Sequence, residues 1–95
     1  MKKEDIHMFI NNVAINKKGI FLLDYVNTKK LIELCKQSNI DVLGIEAFSL
    51  HDEAIQPHLD KSIDFSSEFN KYTTPDEYLK QLNNGDLQLL FEVTI

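Results

Sequence analysis

The spacing of apolar residues predicts two helices in the first half of the chain. Within residues 4–15, apolar side chains recur at intervals of three and four, as in an amphipathic helix: Ile6, Phe9, Ile10 and Val13. A second helix is expected to be capped by Asn27 or Thr28. Its apolar side chains point largely to one side: Leu31, Ile32, Leu34 and Cys35. The intervening residues 20–26 fit a short strand or an extended lead-in equally well.

The second half of the chain predicts two paired strands and a third helix. Residues 42–50 are mostly apolar on both alternating faces, as expected for an inner strand, and residues 87–95 alternate as a strand that pairs with it. Between them, Thr74 followed by Pro75 is a helix start, and Gly85 is expected to end that helix in a left-handed conformation.

Residues 51–70 fit no single period. Residues 54–56 are expected to pair back as a short strand that Pro57 stops. Residues 58–70 are then expected to form an ordered loop, with room for one helical turn, that is pinned by four apolar anchors: Leu59, Ile63, Phe65 and Phe69. Together the elements predict an α+β fold. We expect residues 1–95 to form a single small domain, with a mixed or antiparallel sheet and two or three helices.

Composition narrows the class of protein. With 43% apolar and 26% charged residues, the 95-residue chain is typical of a globular domain. The single cysteine, Cys35, excludes an intramolecular disulfide and is expected to be a structural thiol. Because no long apolar run follows the amino terminus, we expect neither a signal peptide nor a membrane span, and a cytoplasmic location.

Charge is concentrated in the middle of the chain. Residues 46–77 carry eight acids and two lysines, a net charge of −6, whereas the whole chain carries −5. All ten basic residues are lysine, so the arginine side chain that forks onto phosphate or guanine is missing, and direct nucleic-acid binding is disfavoured. A basic protein is the better electrostatic match. The candidate contact residues are acids interleaved with aromatics: Glu46, Phe48, Asp52, Glu53, Asp60, Asp64, Glu68 and Tyr72.

Catalytic signals are weak. His51 and His58 lie seven residues apart across a proline-broken stretch, which is not a metal-ligand spacing, so no metal or other cofactor is expected. The four-residue spacing of Asp60 and Asp64 would suit acid/base chemistry if the segment were helical, but nothing in the sequence supplies a pocket or a raised pKa. The chain is therefore interpreted as a protein without a catalytic site.

Three short motifs give a more specific indication. Leu43-Gly44-Ile45-Glu46-Ala47-Phe48, Ile55-Gln56-Pro57 and Ile63-Asp64-Phe65-Ser66, in this order, resemble small bacterial immunity proteins of toxin–immunity systems, including those of polymorphic toxins and contact-dependent inhibition. With the helix at Thr74 and the last strand, the resemblance extends over roughly residues 28–95. It implies a cytoplasmic protein that binds a cognate toxin domain, expected to be basic and nuclease-like, and blocks it without chemistry of its own.

Two alternatives of other classes remain open at the level of sequence. One is a small ligand-binding or enzymatic domain that uses the carboxylates of Asp60 and Asp64. The other is a homo-oligomeric structural subunit that pairs through an exposed edge strand.

Overall fold

The computed structural model describes residues 2–68, 70 and 73–95. These residues form, in chain order, α1 (Lys3–Val13), β1 (Ile15–Lys17), β2 (Ile20–Leu22), α2 (Tyr25–Gln37), β3 (Gly44–His51), β4 (Ala54–Asp64), α3 (Pro75–Lys80), a 3₁₀ turn (Asn84–Gln88) and β5 (Leu90–Thr94). The predicted α+β class is confirmed, and the strand pairings in the described residues are antiparallel.

A three-stranded sheet with the order β4-β3-β5 forms the centre of the fold. The prediction that residues 42–50 contain an inner strand paired with the last strand is confirmed, but the last strand begins at Leu90 rather than at residue 87, because residues 84–88 form the 3₁₀ turn. The hairpin of β1 and β2 is linked to this sheet through Leu23 and Phe91, which exchange two backbone hydrogen bonds of 2.7 Å. Because this link lies beside β5, strand β4 forms the edge of the sheet on the other side.

The helices lie on one face of the sheet. Ile45, Ala47 and Phe91 are fully buried there and pack in one cluster with Ile32 of α2 and Leu79 of α3. An adjoining cluster joins α1 to α2 through Ile6, Ile10, Leu31 and Cys35. Cys35 lies on the buried stripe of α2, as predicted, and burial raises the pKa of its thiol.

The opposite face of the sheet is covered at one end only. Phe48 alternates onto this face and is only 5% exposed. Lys17 of the hairpin contacts Glu53 in the β3–β4 turn, with an Nζ–Oε2 distance of 3.2 Å, so the hairpin tip lies at this end. At the other end Glu46 and Thr94 are exposed, and Gly44 and Glu92 are partly exposed.

Helix α2 begins earlier than Asn27 or Thr28, so the sequence-based cap was wrong. Asp24 is the N-cap, and its Oδ1 accepts a hydrogen bond of 2.8 Å from the backbone N–H of Asn27. Thr28 lies inside the first turn and donates its hydroxyl to the Asp24 carbonyl. Tyr25 and Val26 have strand propensity, but the capping carboxylate ahead of them overrides it.

Strand β4 is the largest departure from the sequence-based prediction. It continues through Pro57 to Asp64, where a loop was expected. Proline is tolerated because β4 is an edge strand and Pro57 stands opposite Phe48. The backbone N–H of Ala47 points towards β4. Because backbone groups alternate in direction along a strand, those of Phe48 and of its partner Pro57 point away from each other. The missing N–H of Pro57 therefore breaks no ladder bond.

The third helix starts as predicted and ends earlier. Thr74 is the N-cap of α3, and its Oγ1 accepts from the Glu77 N–H at 3.1 Å, with Pro75 at the first helical position. The helix ends at Lys80, and Gly85 lies inside the 3₁₀ turn rather than in a left-handed C-terminal position. The described helices are all too short to cross a membrane.

Replacing the observed cap should destabilise the domain more than replacing the predicted one. Asp24→Ala is expected to lower the free energy of unfolding by about 1 kcal/mol, because it removes the acceptor of the Asn27 N–H. Asn27→Ala is the control and should change it by less than about 0.5 kcal/mol, since Asn27 lies in the first turn. Urea denaturation measures both, and equal effects would contradict this assignment.

Candidate functional site

Strand β4 leaves the regular ladder opposite Glu46. Ile45 pairs with Ile63, but Ala47 pairs with His58, so four residues of β4 face a single residue of β3. We refer to residues 59–62 as the β4 excursion. Large bulges of this kind occur at sheet edges and beside functional sites, where they direct a side chain outward.

Side chains hold the excursion in place from both sides. The hydroxyl of Ser62 accepts a hydrogen bond of 3.0 Å from the Ala47 N–H and donates one of 2.9 Å to the His58 carbonyl, so it bridges the gap in the ladder. From α3, the Tyr78 hydroxyl donates to the Lys61 carbonyl at 2.5 Å. The Lys61 ammonium lies 3.4 Å from an Asp86 carboxylate oxygen.

Tyr78 links the excursion to the core. Its ring makes edge contacts with Phe65 and Phe91, each at a centroid distance of 6.5 Å. Burial raises the pKa of its hydroxyl to about 12, with a further contribution from the Asp86 carboxylate. The hydroxyl is therefore protonated at neutral pH and remains a donor to Lys61.

Leu59 is exposed at the start of the excursion, so its prediction as a buried anchor was wrong. Its side chain is 82% exposed, whereas Ile63 and Phe65, two of the other predicted anchors, pack against the core as expected. The fourth predicted anchor, Phe69, lies outside the described residues. The sequence could not separate these cases because the excursion shifts the register of β4 between Leu59 and Ile63.

Glu46 and Glu92 stand directly opposite each other on β3 and β5. Glu46 is exposed, whereas Glu92 is partly buried and lines a cavity of about 340 Å³ with His7 and Asn11 of α1 and Phe21 of β2. Partial burial raises the pKa of Glu92, and the negative charge of Glu46 adds to the shift. Like charges at directly opposed positions destabilise a sheet. Sequence reasoning missed Glu92, because only the register of β3 with β5 reveals its partner.

Asp64 shares a shallow cavity with Glu46. The cavity has a volume of about 250 Å³ and is lined by Leu43, Gly44, Glu46, Ile63, Asp64 and Thr94, with two carboxylates and no basic side chain. Asp64 accepts hydrogen bonds from the hydroxyl and the backbone N–H of Ser66, which lower its pKa. We refer to Glu46, Asp64 and Glu92 as the open acidic end.

The structure does not bring all of the predicted contact residues together. Asp52 and Glu53 lie in the β3–β4 turn, about 20 Å along the strand from Glu46. Glu53 is also paired with Lys17. Asp60 lies in the excursion and is exposed. The acids of the middle segment therefore do not form one continuous surface.

The remaining predicted contacts differ in accessibility. Phe48 is buried, so it has little surface to offer a partner, and its proposed role as an exposed aromatic contact needs correction. Glu68 is exposed in the segment after β4. Tyr72 lies outside the described residues.

The alternative carboxylate pair does not converge. Asp64 lines the cavity beside Glu46, whereas Asp60 lines a different one, of about 220 Å³, together with Lys61 and Tyr78. The pKa of Asp64 is lowered, which is opposite to what a general acid at neutral pH requires. This geometry gives no support to acid/base chemistry by the pair.

The histidines form a small polar cluster on β3 and β4. The Nε2 atoms of His51 and His58 lie 3.0 and 2.8 Å from the Ser49 hydroxyl oxygen, respectively. A search of the described residues finds no group of three or more His, Cys, Asp or Glu side chains placed to hold a metal ion. The contacts of these two histidines are therefore side-chain hydrogen bonds to Ser49 on the paired strands β3 and β4.

Comparison of the chain with protein-family models, curated protein sequences and solved structures finds no match.

The Tyr78 hydroxyl should contribute measurably to stability. Tyr78→Phe keeps the ring contacts but leaves the Lys61 carbonyl without this donor, and it is expected to lower the free energy of unfolding by about 1 kcal/mol. Tyr25→Phe is a matched control, because Tyr25 also packs against the core. Chemical denaturation should separate the two variants; similar losses would mean that the excursion is not held by this bond.

Removing the charge of Glu92 should stabilise the protein at neutral pH. Glu92→Gln is expected to raise the free energy of unfolding by about 0.2–1 kcal/mol, because it ends the repulsion with Glu46.

The pH dependence of this effect follows from the raised pKa. The folded state holds the Glu92 proton more tightly than the unfolded state, so the charge penalty is complete above the folded pKa. It is lost as pH falls towards the ordinary value of 4.5. The advantage of Glu92→Gln should therefore shrink between pH 7 and pH 4 in thermal unfolding scans. An advantage that grows on acidification would refute the assignment.

Proposed function

We propose that this chain is a cytoplasmic immunity protein, which binds a cognate bacterial toxin domain through the open acidic end and neutralises it without catalysis. The observation that carries this proposal is the direct opposition of Glu46 and Glu92 on adjacent strands, with Glu46 exposed. Both carboxylates are there at a cost to the stability of the free protein, and a cation supplied by a partner would relieve that cost.

The chemistry of the site favours a lysine or arginine side chain as the group that is bound. Such a side chain, placed between Glu46 and Glu92, would replace a like-charge contact by two favourable ones. Asp64, in the adjoining cavity, offers a third carboxylate within the same end of the sheet. Arginine is the better fit because its planar guanidinium can donate to two carboxylates at once.

The charge of the whole chain supports the same partner class. A net charge of −5 on a small domain accelerates encounter with a basic protein. Toxins that cleave nucleic acids must bind phosphate and therefore carry basic clefts. An acidic surface that enters such a cleft would exclude the substrate. The resemblance of residues 43–66 to immunity proteins supports this reading independently of charge.

The edge of the sheet gives less support to a homo-oligomeric subunit. Pro57 and the β4 excursion interrupt the one long edge strand, and both features are known to discourage pairing between sheet edges. We therefore argue for a heterologous protein partner.

The proposal is tested by growth protection and by binding. Each reading frame adjoining the gene is expressed alone and together with this chain, and one product should stop growth only when this chain is absent. The purified pair should form a stoichiometric complex whose affinity falls as salt is raised. If no adjoining product is toxic, or if this chain neither binds nor protects against a toxic one, the proposal fails.

Loss of the carboxylate pair should strengthen the fold while weakening the complex. The double variant Glu46→Gln, Glu92→Gln is expected to unfold at a higher temperature but to bind the toxin roughly tenfold or more weakly. Its dissociation constant should also depend less on salt. Isothermal titration calorimetry at two salt concentrations measures both effects.

A control with the same change in charge uses acids on the helices. Glu4→Gln, Glu33→Gln removes two carboxylates from exposed positions of α1 and α2. It should leave the affinity within about threefold of the unaltered protein. If both double variants weaken the complex equally, net charge alone accounts for binding and the open acidic end has no special role.

A further inference from the structure

We infer that Leu59 is the apolar anchor of this binding surface and inserts into an apolar pocket of the toxin that is rimmed by basic side chains. The inference rests on the proposed function and names the part of the partner that the β4 excursion would meet. It is carried by one observation, an almost fully exposed leucine on a backbone that several side chains hold in place.

The exposure of Leu59 is unusual for its position in the described residues. Its side chain is 82% exposed, whereas the next most exposed large apolar side chain, Met8, is at 62%. A scattered exposed apolar residue needs no explanation where the backbone is a simple helix surface, as at Met8. Leu59, in contrast, begins the four-residue segment of the edge strand that leaves the ladder opposite Glu46.

The excursion is held in place before any partner arrives. The Ser62 hydroxyl bridges the gap in the ladder, because it accepts from the Ala47 N–H at 3.0 Å and donates to the His58 carbonyl at 2.9 Å. The Tyr78 hydroxyl donates a hydrogen bond to the Lys61 carbonyl, and the Tyr78 ring makes edge contacts with Phe65 and Phe91. A backbone that is already ordered loses little conformational entropy on binding, so a leucine presented in this way contributes most of its transfer free energy to the complex.

Protection of the sheet edge explains the excursion but not the leucine. Interrupting β4 discourages edge-to-edge pairing whatever side chain stands at position 59, and natural edges usually carry a charged residue, often lysine, for this purpose. A leucine at this position adds apolar surface to an edge that the excursion already protects. A contact with another molecule would give this exposed leucine a role that edge protection does not.

The position of the excursion identifies the kind of pocket. The excursion leaves the ladder opposite Glu46, and Glu92 is the next residue across the sheet. The register therefore places the excursion on the strand next to Glu46, with Glu92 on the strand beyond it. Asp60, adjacent to Leu59 in sequence, is exposed as well and adds a carboxylate to the excursion, where it lines the cavity with Lys61 and Tyr78. An apolar side chain with acids nearby matches an apolar pocket of the partner that has basic side chains at its rim.

The test measures binding of Leu59 variants to the toxin that the growth assay identifies. Leu59→Ala is expected to weaken the complex about 10- to 100-fold, and Leu59→Asp by more, without a change in the salt dependence of affinity. Both variants should fold normally, because the side chain is exposed. Met8→Ala and Met8→Asp, at an exposed position of α1, are the matched controls and should bind within about threefold of the unaltered protein.

Ser62→Ala examines the contribution of the held backbone without altering Leu59. It should weaken binding several-fold and increase amide exchange in the excursion, because the bridge between Ala47 and His58 is lost. Unchanged affinity for Ser62→Ala would overturn the claim that the excursion is preorganised for binding.

The outcomes separate the two proposals. If the Leu59 variants bind as tightly as the unaltered protein while Glu46→Gln, Glu92→Gln binds weakly, the anchor is overturned and the proposed function stands. If the Leu59 and Met8 variants weaken the complex equally, the anchor is likewise overturned. If the unaltered protein binds no adjoining toxic product, the proposed function fails and the anchor falls with it.

Discussion

Burial of Ile45, Ala47 and Phe91 on one face of the sheet determines how the rest of the chain is arranged. The described helices all contribute to that face, and Ile32 and Leu79 complete the cluster. The short β1–β2 hairpin, whose strands have three residues each, is then the element left to cover the opposite face. It reaches the end of the sheet at Phe48 and leaves Glu46 exposed. A chain of this length has too few residues to build a second layer over the whole sheet.

That incomplete covering gives the open acidic end its physical character. A carboxylate pair across a fully solvated sheet would be screened by water, and one beneath a second layer would have to be neutralised or bonded. Glu46 and Glu92 are in between, because Glu46 is exposed whereas Glu92 is partly buried and has a raised pKa. Folded domains are stable by only about 5–15 kcal/mol, so a persistent unfavourable contact is a measurable fraction of the total. The pair therefore makes no favourable contribution to the fold and carries a cost to its stability.

The sequence predicted those elements whose signals are local. The apolar period of α1, the Thr74 cap of α3 and the alternation of β3 and β5 each depend on residues close together in the chain, and the structure confirms them. Asp24 was missed because the strand propensity of Tyr25 and Val26 concealed the start of α2. The predicted end of α3 was too late because it was inferred from Gly85 alone, whereas the helix ends at Lys80.

The features of the candidate site that were missed depend on contacts between distant parts of the chain. The opposition of Glu46 and Glu92 requires the register of β3 with β5. The exposure of Leu59 requires the ladder shift that Ser62 and Tyr78 stabilise, and these residues come from β4 itself and from α3. The count of charges along the sequence identified Glu46 and Asp64. It also included Asp52 and Glu53, which lie at the opposite end of β3 from Glu46 and Asp64.

Pro57 and the four-residue departure of β4 also have a consequence for solubility at high concentration. A regular edge strand can act as a template, because each added copy exposes a new edge identical to the first, and growth continues without limit. On β4 the positions that would form such a template are interrupted once by a missing N–H and again where the backbone turns away from the ladder. Backbone geometry therefore disfavours strand-by-strand polymerisation through this edge.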